Sequence, residues 1–281
     1  MITKRQFQSG YVAIKRTKHG IFMYNRNDLF VGRSLDLYGE WCEAEIDLLG
    51  QIIKEGDVIV DVGAFIGTHS IFFANQVANG GYVYAIEPQR TSFNMLCGNI
   101  ALNGLLNVKA VYAAAGSESG VIAVPVLDPN TKQNFGAVRL EKYNQGDLVG
   151  KMALDDMKLK RCNLIKIDVE GMEIQVLQGA RRVIESLHPV LFVENNRLEN
   201  SKEVISFITQ MHYKCWWHVA PYFNEENYFK NKKNVFAQFQ PEVNMLCLHS
   251  SNHIKVEDLE SVLGKDDNWQ KVIGRITAKQ K

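Results

Sequence analysis

Two short segments contain residues whose types and spacing suit nucleotide binding. The run DVIVDVGAFIG (57–67) places an apolar strand before two glycines, and YVYAIEP (82–88) repeats a buried strand that ends in Glu87. A strand, a glycine turn, a helix and a second strand ending in a carboxylate form half of a nucleotide-binding βαβ unit. The glycines permit positive φ and close backbone approach, and the carboxylate accepts hydrogen bonds from ribose hydroxyls. We therefore expect an adenosine-containing cofactor.

The spacing of the glycines indicates which class of nucleotide the turn accepts. The turn reads GAFIG (63–67), so it lacks the middle glycine of G-x-G-x-x-G, at which a pyrophosphate approaches the backbone. A Walker lysine is also missing. An NAD-dependent oxidoreductase is therefore disfavoured. An ordinary strand-to-helix turn is the remaining alternative, and Glu87, at the distance expected for a ribose contact, argues against it.

A second group of chemically active residues lies in LIKIDVEGMEIQVLQGA (164–180). Lys166, Asp168, Glu170 and Glu173 surround one predicted strand end and the helix that follows it. In an open α/β sheet, ligands bind outside the carboxyl ends of the strands. The alternative is structural: Lys166 and Asp168 share a strand face and form an ion pair, while Glu170 interacts with the helix N-terminus.

The elements that must position these residues follow an α/β pattern. A helix is expected over 38–54, after which strands alternate with helix-length segments, and this alternation predicts a mostly parallel sheet with right-handed crossovers. Residues 117–150 interrupt the rhythm as an inserted β-ribbon or ordered loop, and two antiparallel edge strands complete the sheet. The predicted divisions are an N-terminal β-hairpin cap (1–37), a main domain (38–250) and a C-terminal tail (251–281).

The composition excludes several classes of protein. The formal net charge of +1 gives no electrostatic bias toward nucleic acid or an anionic membrane, so neither is expected as a partner. No apolar run approaches the roughly 20 residues of a membrane helix, and the first ten residues lack the apolar core of a secretory signal. The five cysteines are widely spaced, which predicts reduced thiols and a cytoplasmic location. The oligomeric state is left open.

The motifs together resemble a known family. The form D-x-G-x-x-x-G (61–67) resembles the first motif of class I S-adenosylmethionine-dependent methyltransferases. Joined to YGEW (38–41) and the long IKIDVEG motif (165–171), it resembles the FkbM family of these enzymes. The resemblance implies a Rossmann-like, mostly parallel seven-stranded sheet flanked by helices. It also implies transfer of a methyl group from S-adenosylmethionine to a hydroxyl of a sugar, glycan or secondary metabolite.

The resemblance also implies roles for particular residues. Phe65 stands where the family commonly has asparagine, so a side-chain hydrogen bond to the cofactor is not expected there. A non-catalytic protein that binds S-adenosylmethionine is an alternative with the same fold. The residues expected to bind the cofactor are Tyr38, Glu40, Asp61, Gly63, Ala64, Phe65, Gly67 and Glu87, and those expected to be catalytic are Lys166, Asp168 and Glu170.

For the reaction, the hypothesis is that Asp168 or Glu170 orients or deprotonates the acceptor hydroxyl, with Lys166 tuning that carboxylate. In a second version Asp168 and Glu170 hold Mg²⁺. The metal-free version is preferred and no metal site is predicted, because the sequence shows no obvious third carboxylate ligand. Glu194, at the end of a later strand, is interpreted as an acceptor contact or as the start of a loop. His69 is expected to be a surface or helix-cap residue.

Overall fold

The N-terminal part of the fold is a small antiparallel sheet. The computed structural model describes residues 7–279, so residues 1–6 and 280–281 of the predicted cap and tail lie outside the described residues. β2 and β3 form a hairpin where one is predicted, and β1 pairs with β2 as a third strand. The strands are β1 (Phe7–Ser9), β2 (Val12–Thr17) and β3 (Gly20–Asn25).

The helix expected over 38–54 is wrong in its extent. One helix, α1 (Val31–Leu37), ends just before this range, and only the shorter α2 (Glu43–Gly50) lies within it. Gly39 has φ of 71° and Cys42 has φ of 44°, so the backbone enters the left-handed region twice between the helices. An α-helix cannot continue through that conformation.

The central element is a twisted sheet with helices between its strands. Its elements in chain order are β4 (Val58–Val62), α3 (Thr68–Val77), β5 (Tyr82–Ile86), α4 (Arg90–Leu102), β6 (Val108–Val111), then β7 (Ala114–Ala115), β8 (Gly120–Val124) and β9 (Asp147–Met152) of a separate small sheet, followed by β10 (Leu164–Ile167), α5 (Glu173–Gly179), α6 (Arg181–Leu187), β11 (Val190–Glu194), α7 (Leu198–Gln210), β12 (Tyr213–Ala220), β13 (Glu242–His249), β14 (Glu260–Ser261) and α8 (Trp269–Lys279).

The strand order confirms the predicted Rossmann-like class. Within residues 7–279 the order is β14-β12-β13-β11-β10-β4-β5-β6. The five strands from β11 to β6 are parallel, and β13 is antiparallel to both of its neighbours. β4, β10 and β11 are buried along their whole length, which explains their near-continuous apolar sequences.

Two details of the sheet differ from the prediction. The sheet has eight strands in the described part of the chain rather than seven, because β14 pairs with Trp216 and Trp217 on β12. A two-residue strand in a polar segment has no alternating pattern by which to predict it. The inserted segment 117–150 includes the predicted ribbon, since β8 pairs with β9, and β7 extends it to three strands. Among residues 7–279 no helix is both long enough and apolar enough to cross a membrane.

Asn99 on α4 connects the N-terminal sheet to the turn after β4. Its side chain is fully buried. The Oδ1 atom accepts a hydrogen bond from the Met23 N–H at 2.6 Å, and Nδ2 donates to the Met23 carbonyl at 3.0 Å and to the Ile66 carbonyl at 2.8 Å. One amide thus satisfies the backbone of β3 and of the glycine turn together. The position of the turn therefore depends on this side chain.

Replacement of Asn99 by alanine should destabilise the fold. Buried backbone groups of Met23 and Ile66 would lose their partners, so we expect the free energy of unfolding to fall by about 2–4 kcal/mol. The measurement is urea unfolding followed by circular dichroism. Asn94→Ala, at an exposed position of the same helix, is the matched control and should change stability by less than about 0.5 kcal/mol. Equal stability of the two variants would contradict this role of Asn99.

Candidate active site

The main cavity opens at the carboxyl ends of β4, β5 and β10. Its empty volume, including the open mouth, is about 990 Å³. The structure brings together most of the residues that the sequence nominates, from both the glycine turn and the acidic motif. Those that line the cavity are Gly63, Ala64, Phe65, Glu87, Lys166, Asp168 and Glu170.

Gly63 allows the ends of β4 and β10 to approach each other. It has φ of 82°, and a Cβ atom at this position would lie 1.8 Å from the carbonyl oxygen of Asp168. Any side chain would therefore push the two strand ends apart, independently of the positive φ. The Asp168 N–H donates to the Val62 carbonyl at 3.0 Å, which continues the ladder of the two strands to this point. The glycine thus accommodates neighbouring backbone, and not only a ligand.

Glu87 is a buried carboxylate at the end of β5. Its Oε2 accepts the Phe65 N–H at 2.9 Å and its Oε1 accepts the Gln89 N–H at 2.8 Å. Burial raises the pKa of Glu87 to about 7, because the two N–H donors only partly offset the loss of hydration. Phe65, which has φ of 50°, thus contacts Glu87 through its backbone N–H rather than through its side chain. Both carboxylate oxygens retain lone pairs for a further donor.

Lys166 is a buried cation between two aspartates. Its side chain is 3% exposed, and Nζ lies 3.0 Å from Asp168 Oδ2 and 3.9 Å from Asp61 Oδ1. Burial alone would lower the pKa of Lys166, but the charges of Asp168, Asp61 and Glu45 outweigh it and raise that pKa. The ammonium therefore stays protonated and fixes Asp168. It cannot act as a proton acceptor.

Asp61 and Gly67 support the cavity without lining it. Asp61 is fully buried and its Oδ2 accepts the Ser70 hydroxyl at 2.5 Å, which ties β4 to the first turn of α3. Gly67 has φ of 88° immediately before α3, and a Cβ atom there would lie 2.7 Å from a Leu96 methyl group. Both residues shape the turn between β4 and α3, and neither lines the main cavity.

Tyr38 and Glu40 are not brought to the main cavity. The Tyr38 hydroxyl donates to the Lys233 carbonyl at 2.7 Å and accepts the Val235 N–H at 2.9 Å. Glu40 accepts hydrogen bonds from Asn224 Nδ2 and the Tyr228 N–H, each at 2.8 Å. Both residues line a separate cavity. Their contacts hold the 224–235 segment against the end of α1.

Glu170 and Glu194 form an acidic edge with Asp168. Glu170 forms an ion pair with Arg197, and burial followed by the charge of Asp168 raises its pKa to about 7. Glu194, at the end of β11, is 4% exposed. Asp168, Glu170 and Glu194 each place one carboxylate oxygen within 4.8 Å of the others. The sequence analysis does not include Glu194 among the expected catalytic residues. Its position directly after the buried strand VLFV (190–193) is the sequence feature that indicates a residue at the ligand-binding edge of the sheet.

His69 is buried, so the expectation of a surface or cap residue is wrong. It is 6% exposed, its Nε2 lies 3.0 Å from Glu45 Oε2, and it lines the main cavity. Burial would raise the pKa of Glu45, but the contact with His69 outweighs it and lowers that pKa. The cause of the burial is tertiary: α2 packs against α3 and covers the ring.

Aromatic side chains form one part of the wall of the main cavity, called the aromatic wall below. Phe30 and Trp41 line the main cavity. The rings of Trp41 and Tyr222 stack with centroids 5.4 Å apart, and Phe30 contacts Tyr222 edge-on at 5.4 Å. The cavity therefore has a flat apolar side and a carboxylate side.

Comparison with known proteins identifies the family. Residues 61–215 match the methyltransferase FkbM domain. The chain is 27% identical over 184 residues to the hexuronic acid methyltransferase AglP of Haloferax volcanii, covering 64% of this chain and 72% of that protein. It is 29% identical over 154 residues to methyltransferase sdnD of Sordaria araneosa, covering 43% of this chain and 59% of that protein.

A solved structure of a methyltransferase FkbM from Methylobacillus flagellatus superposes with a TM-score of 0.44 at 18% identity. The match covers 68% of this chain and 43% of that chain, so this chain spans less than half of that protein. The family match extends from Asp61 on β4 to Cys215 on β12 and so includes both motifs that line the cavity. This protein belongs to the FkbM methyltransferase domain family, whose methyl donor is S-adenosylmethionine.

Proposed function

We propose that the protein is an S-adenosylmethionine-dependent O-methyltransferase that acts on a hydroxyl of a sugar, glycan or secondary metabolite. The observation that carries this proposal is that a nucleotide-binding feature and an acidic feature line the same cavity. Glu87 and the glycine turn offer a nucleoside site, and Asp168 at the end of the adjacent strand offers an acceptor for a hydroxyl proton. The missing middle glycine speaks against the NAD-dependent alternative, and the acidic edge speaks against a protein that only binds the cofactor.

The residues of the cavity fit the cofactor. Glu87 would accept the ribose hydroxyls, and the backbone of Gly63 to Phe65 would border the amino-acid portion. Ile86 and Val138 offer apolar contacts for the adenine ring. When bound, the cofactor supplies an electrophilic methyl group on a sulfonium. Tyr38 and Glu40 are left out of this proposed set because their side chains are engaged elsewhere.

Asp168 would orient the acceptor. Lys166 holds the Oδ2 side of the carboxylate, so the Oδ1 atom lies outside that ion pair. A hydroxyl that donates to Asp168 has its oxygen lone pairs directed away from the proton, and its proton passes to the carboxylate as the oxygen is methylated. Because methyl transfer is an in-line displacement, much of the rate depends on this positioning.

A sugar-like acceptor is supported by the aromatic wall of the cavity. Trp41 and Phe30 present flat apolar surfaces, which suit the faces of sugar rings, while the acidic edge suits hydroxyl groups. One similar protein is named a hexuronic acid methyltransferase. A net charge of +1 gives the protein no overall electrostatic attraction to the phosphates of a nucleic acid acceptor. A cytoplasmic location is proposed from the five free cysteines, all of which lie in the described part of the chain.

The first test of this proposal is the pH dependence of cofactor binding. Because burial raises the pKa of Glu87 to about 7, the carboxylate is mostly ionised at pH 8 and mostly protonated at pH 6. If only the ionised form accepts both ribose hydroxyls, calorimetric affinity for S-adenosylhomocysteine should fall by about tenfold from pH 8 to pH 6. Glu87→Gln should bind weakly and lose this slope.

Glu118→Gln, at an exposed position, is the control and should keep the slope. NAD is titrated in parallel. Binding of NAD, with no response to S-adenosylmethionine or S-adenosylhomocysteine, would contradict the proposal and favour the oxidoreductase.

The second test is Asp168→Asn, which keeps the shape of the side chain and removes its basicity. We expect kcat to fall by about 10²–10⁴-fold while the Kd of the cofactor changes by less than about threefold. The assay measures transfer of a labelled methyl group from S-adenosylmethionine to a panel of hexuronic acids and hexoses. Glu199→Gln, at an exposed position of α7, serves as the control. Full turnover in Asp168→Asn would remove Asp168 from the proposed role.

A further inference from the structure

We propose that Asp168, Glu170 and Glu194 form a binding site for a divalent cation, Mg²⁺ or Mn²⁺, at the edge of the main cavity. This inference rests on the proposed function, because the cation would hold oxygens of the acceptor beside the methyl donor. It replaces the expectation that no metal site is present. That expectation depended on the apparent lack of a third carboxylate, and Glu194 is that carboxylate.

The geometry follows from two adjacent parallel strands. β10 and β11 pair in register up to Ile167 and Val193, and the next residue on each strand is Asp168 and Glu194. Glu170 lies two residues beyond Asp168, with φ of 58°, in the turn between β10 and α5. Each of the three acids offers one oxygen within 4.8 Å of the others. Oxygen-only donor sets at such separations suit Mg²⁺ and Mn²⁺.

Glu194 supplies a separate observation that points to a ligand. Its side chain is 96% buried, since the residue is 4% exposed. Oε1 accepts a hydrogen bond from Asn196 Nδ2, but Oε2 has no hydrogen-bond partner. No ion pair among residues 7–279 includes Glu194. A buried carboxylate without a compensating donor or charge is strongly disfavoured, so this oxygen indicates a missing partner.

The two nearby cations do not supply that partner. Lys166 pairs with Asp168 through Oδ2, and Arg197 pairs with Glu170 through Oε2. The Oδ1 atom of Asp168 and the Oε1 atom of Glu170 lie outside these two pairs. Lys166 thus lies beside Asp61 and Asp168, Arg197 lies beside Glu170, and neither cation pairs with Glu194. A bound divalent cation would supply the missing partner of Glu194, and Asp168 and Glu170 line the main cavity, through which an ion can enter.

The site also bears on the chemical class of the acceptor. Mg²⁺ takes octahedral coordination, so three carboxylate oxygens leave about three positions for water and acceptor oxygens. An acceptor with two neighbouring oxygens, such as a vicinal diol or a hydroxy acid, would occupy two of them. The cation would then fix which hydroxyl faces the methyl donor. The cation would thus select the hydroxyl that is methylated, while Trp41 and Phe30 would contact the faces of the acceptor.

The experiment is a titration of chelator-treated, dialysed full-length protein with Mn²⁺, with S-adenosylhomocysteine present. Free Mn²⁺ is followed by its electron paramagnetic resonance signal. We expect one tight Mn²⁺ per chain, displaced by excess Mg²⁺, and at least about tenfold weaker binding in Glu194→Gln. Glu199→Gln, which removes the same charge at an exposed position, should bind Mn²⁺ like the wild type. No Mn²⁺ bound by the wild type, or equal binding in Glu194→Gln, would overturn the site.

Thermal unfolding provides a second readout that does not require an acceptor. Saturating Mn²⁺ should raise the Tm of the wild-type protein by more than that of Glu194→Gln, because an ion stabilises the state that binds it in proportion to its affinity. Without the ion, Glu194→Gln should be at least as stable as the wild type, because it replaces a buried carboxyl group that has no ion-pair partner. An equal Mn²⁺-induced rise in both proteins would place the ion elsewhere.

The two proposals fail in different ways. Undiminished methyl transfer by the metal-free protein in excess chelator would overturn the cation's role while the O-methyltransferase proposal stands. Mn²⁺ binding by a protein that has no affinity for S-adenosylmethionine would contradict the proposed function and not the cation site. In that case the cation site would remain and the proposed function would fall.

Discussion

The contact between the ends of β4 and β10 is the constraint on which the rest of the site depends. At Gly63 the two backbones are so close that a Cβ atom would lie 1.8 Å from the Asp168 carbonyl oxygen. Immediately before this contact, Lys166 is buried beside Asp61 and Asp168. A buried ammonium is tolerated only with such partners, so its position and theirs are set together. The glycine turn and the acidic motif, about 100 residues apart in sequence, therefore meet at one point.

The contact between the ends of β4 and β10 lies between two chemically distinct halves of the cavity. On the β5 side, Glu87 has backbone N–H donors on both oxygens and retains lone pairs for a ribose. On the β11 side, Asp168, Glu170 and Glu194 each place one carboxyl oxygen within 4.8 Å of the others. Lys166 lies between the halves and stays protonated. The same strand register that builds the sheet thus places an acid-rich edge beside a nucleoside pocket.

The sequence predicts the fold, and it selects residues that the structure brings to one cavity, because both depend on local pattern. Apolar strands followed by glycines or acids indicate buried parallel strands, and ligands bind where such strands end. Gly63, Glu87 and Asp168 lie in the cavity for that reason. The family resemblance, which the domain match over 61–215 confirms, depends on the same motifs.

The errors concern residues whose positions are set by tertiary contacts. Tyr38 precedes a helix in the sequence, but its hydroxyl is bound by residues nearly 200 positions later. His69 begins a helix, and only the packing of α2 against α3 buries it. Glu194 joins Asp168 because β11 is the neighbour of β10, and the local pattern of the sequence does not reveal strand order.

The most direct test of this account is a crystal structure of the protein with S-adenosylhomocysteine. The account predicts the ribose hydroxyls within hydrogen-bond distance of the Glu87 carboxylate. It also predicts the sulfur facing Asp168 across space large enough for an acceptor hydroxyl. A nucleoside bound away from Glu87, or a sulfur directed away from the acidic edge, would contradict the assignment of the cavity as the site of methyl transfer.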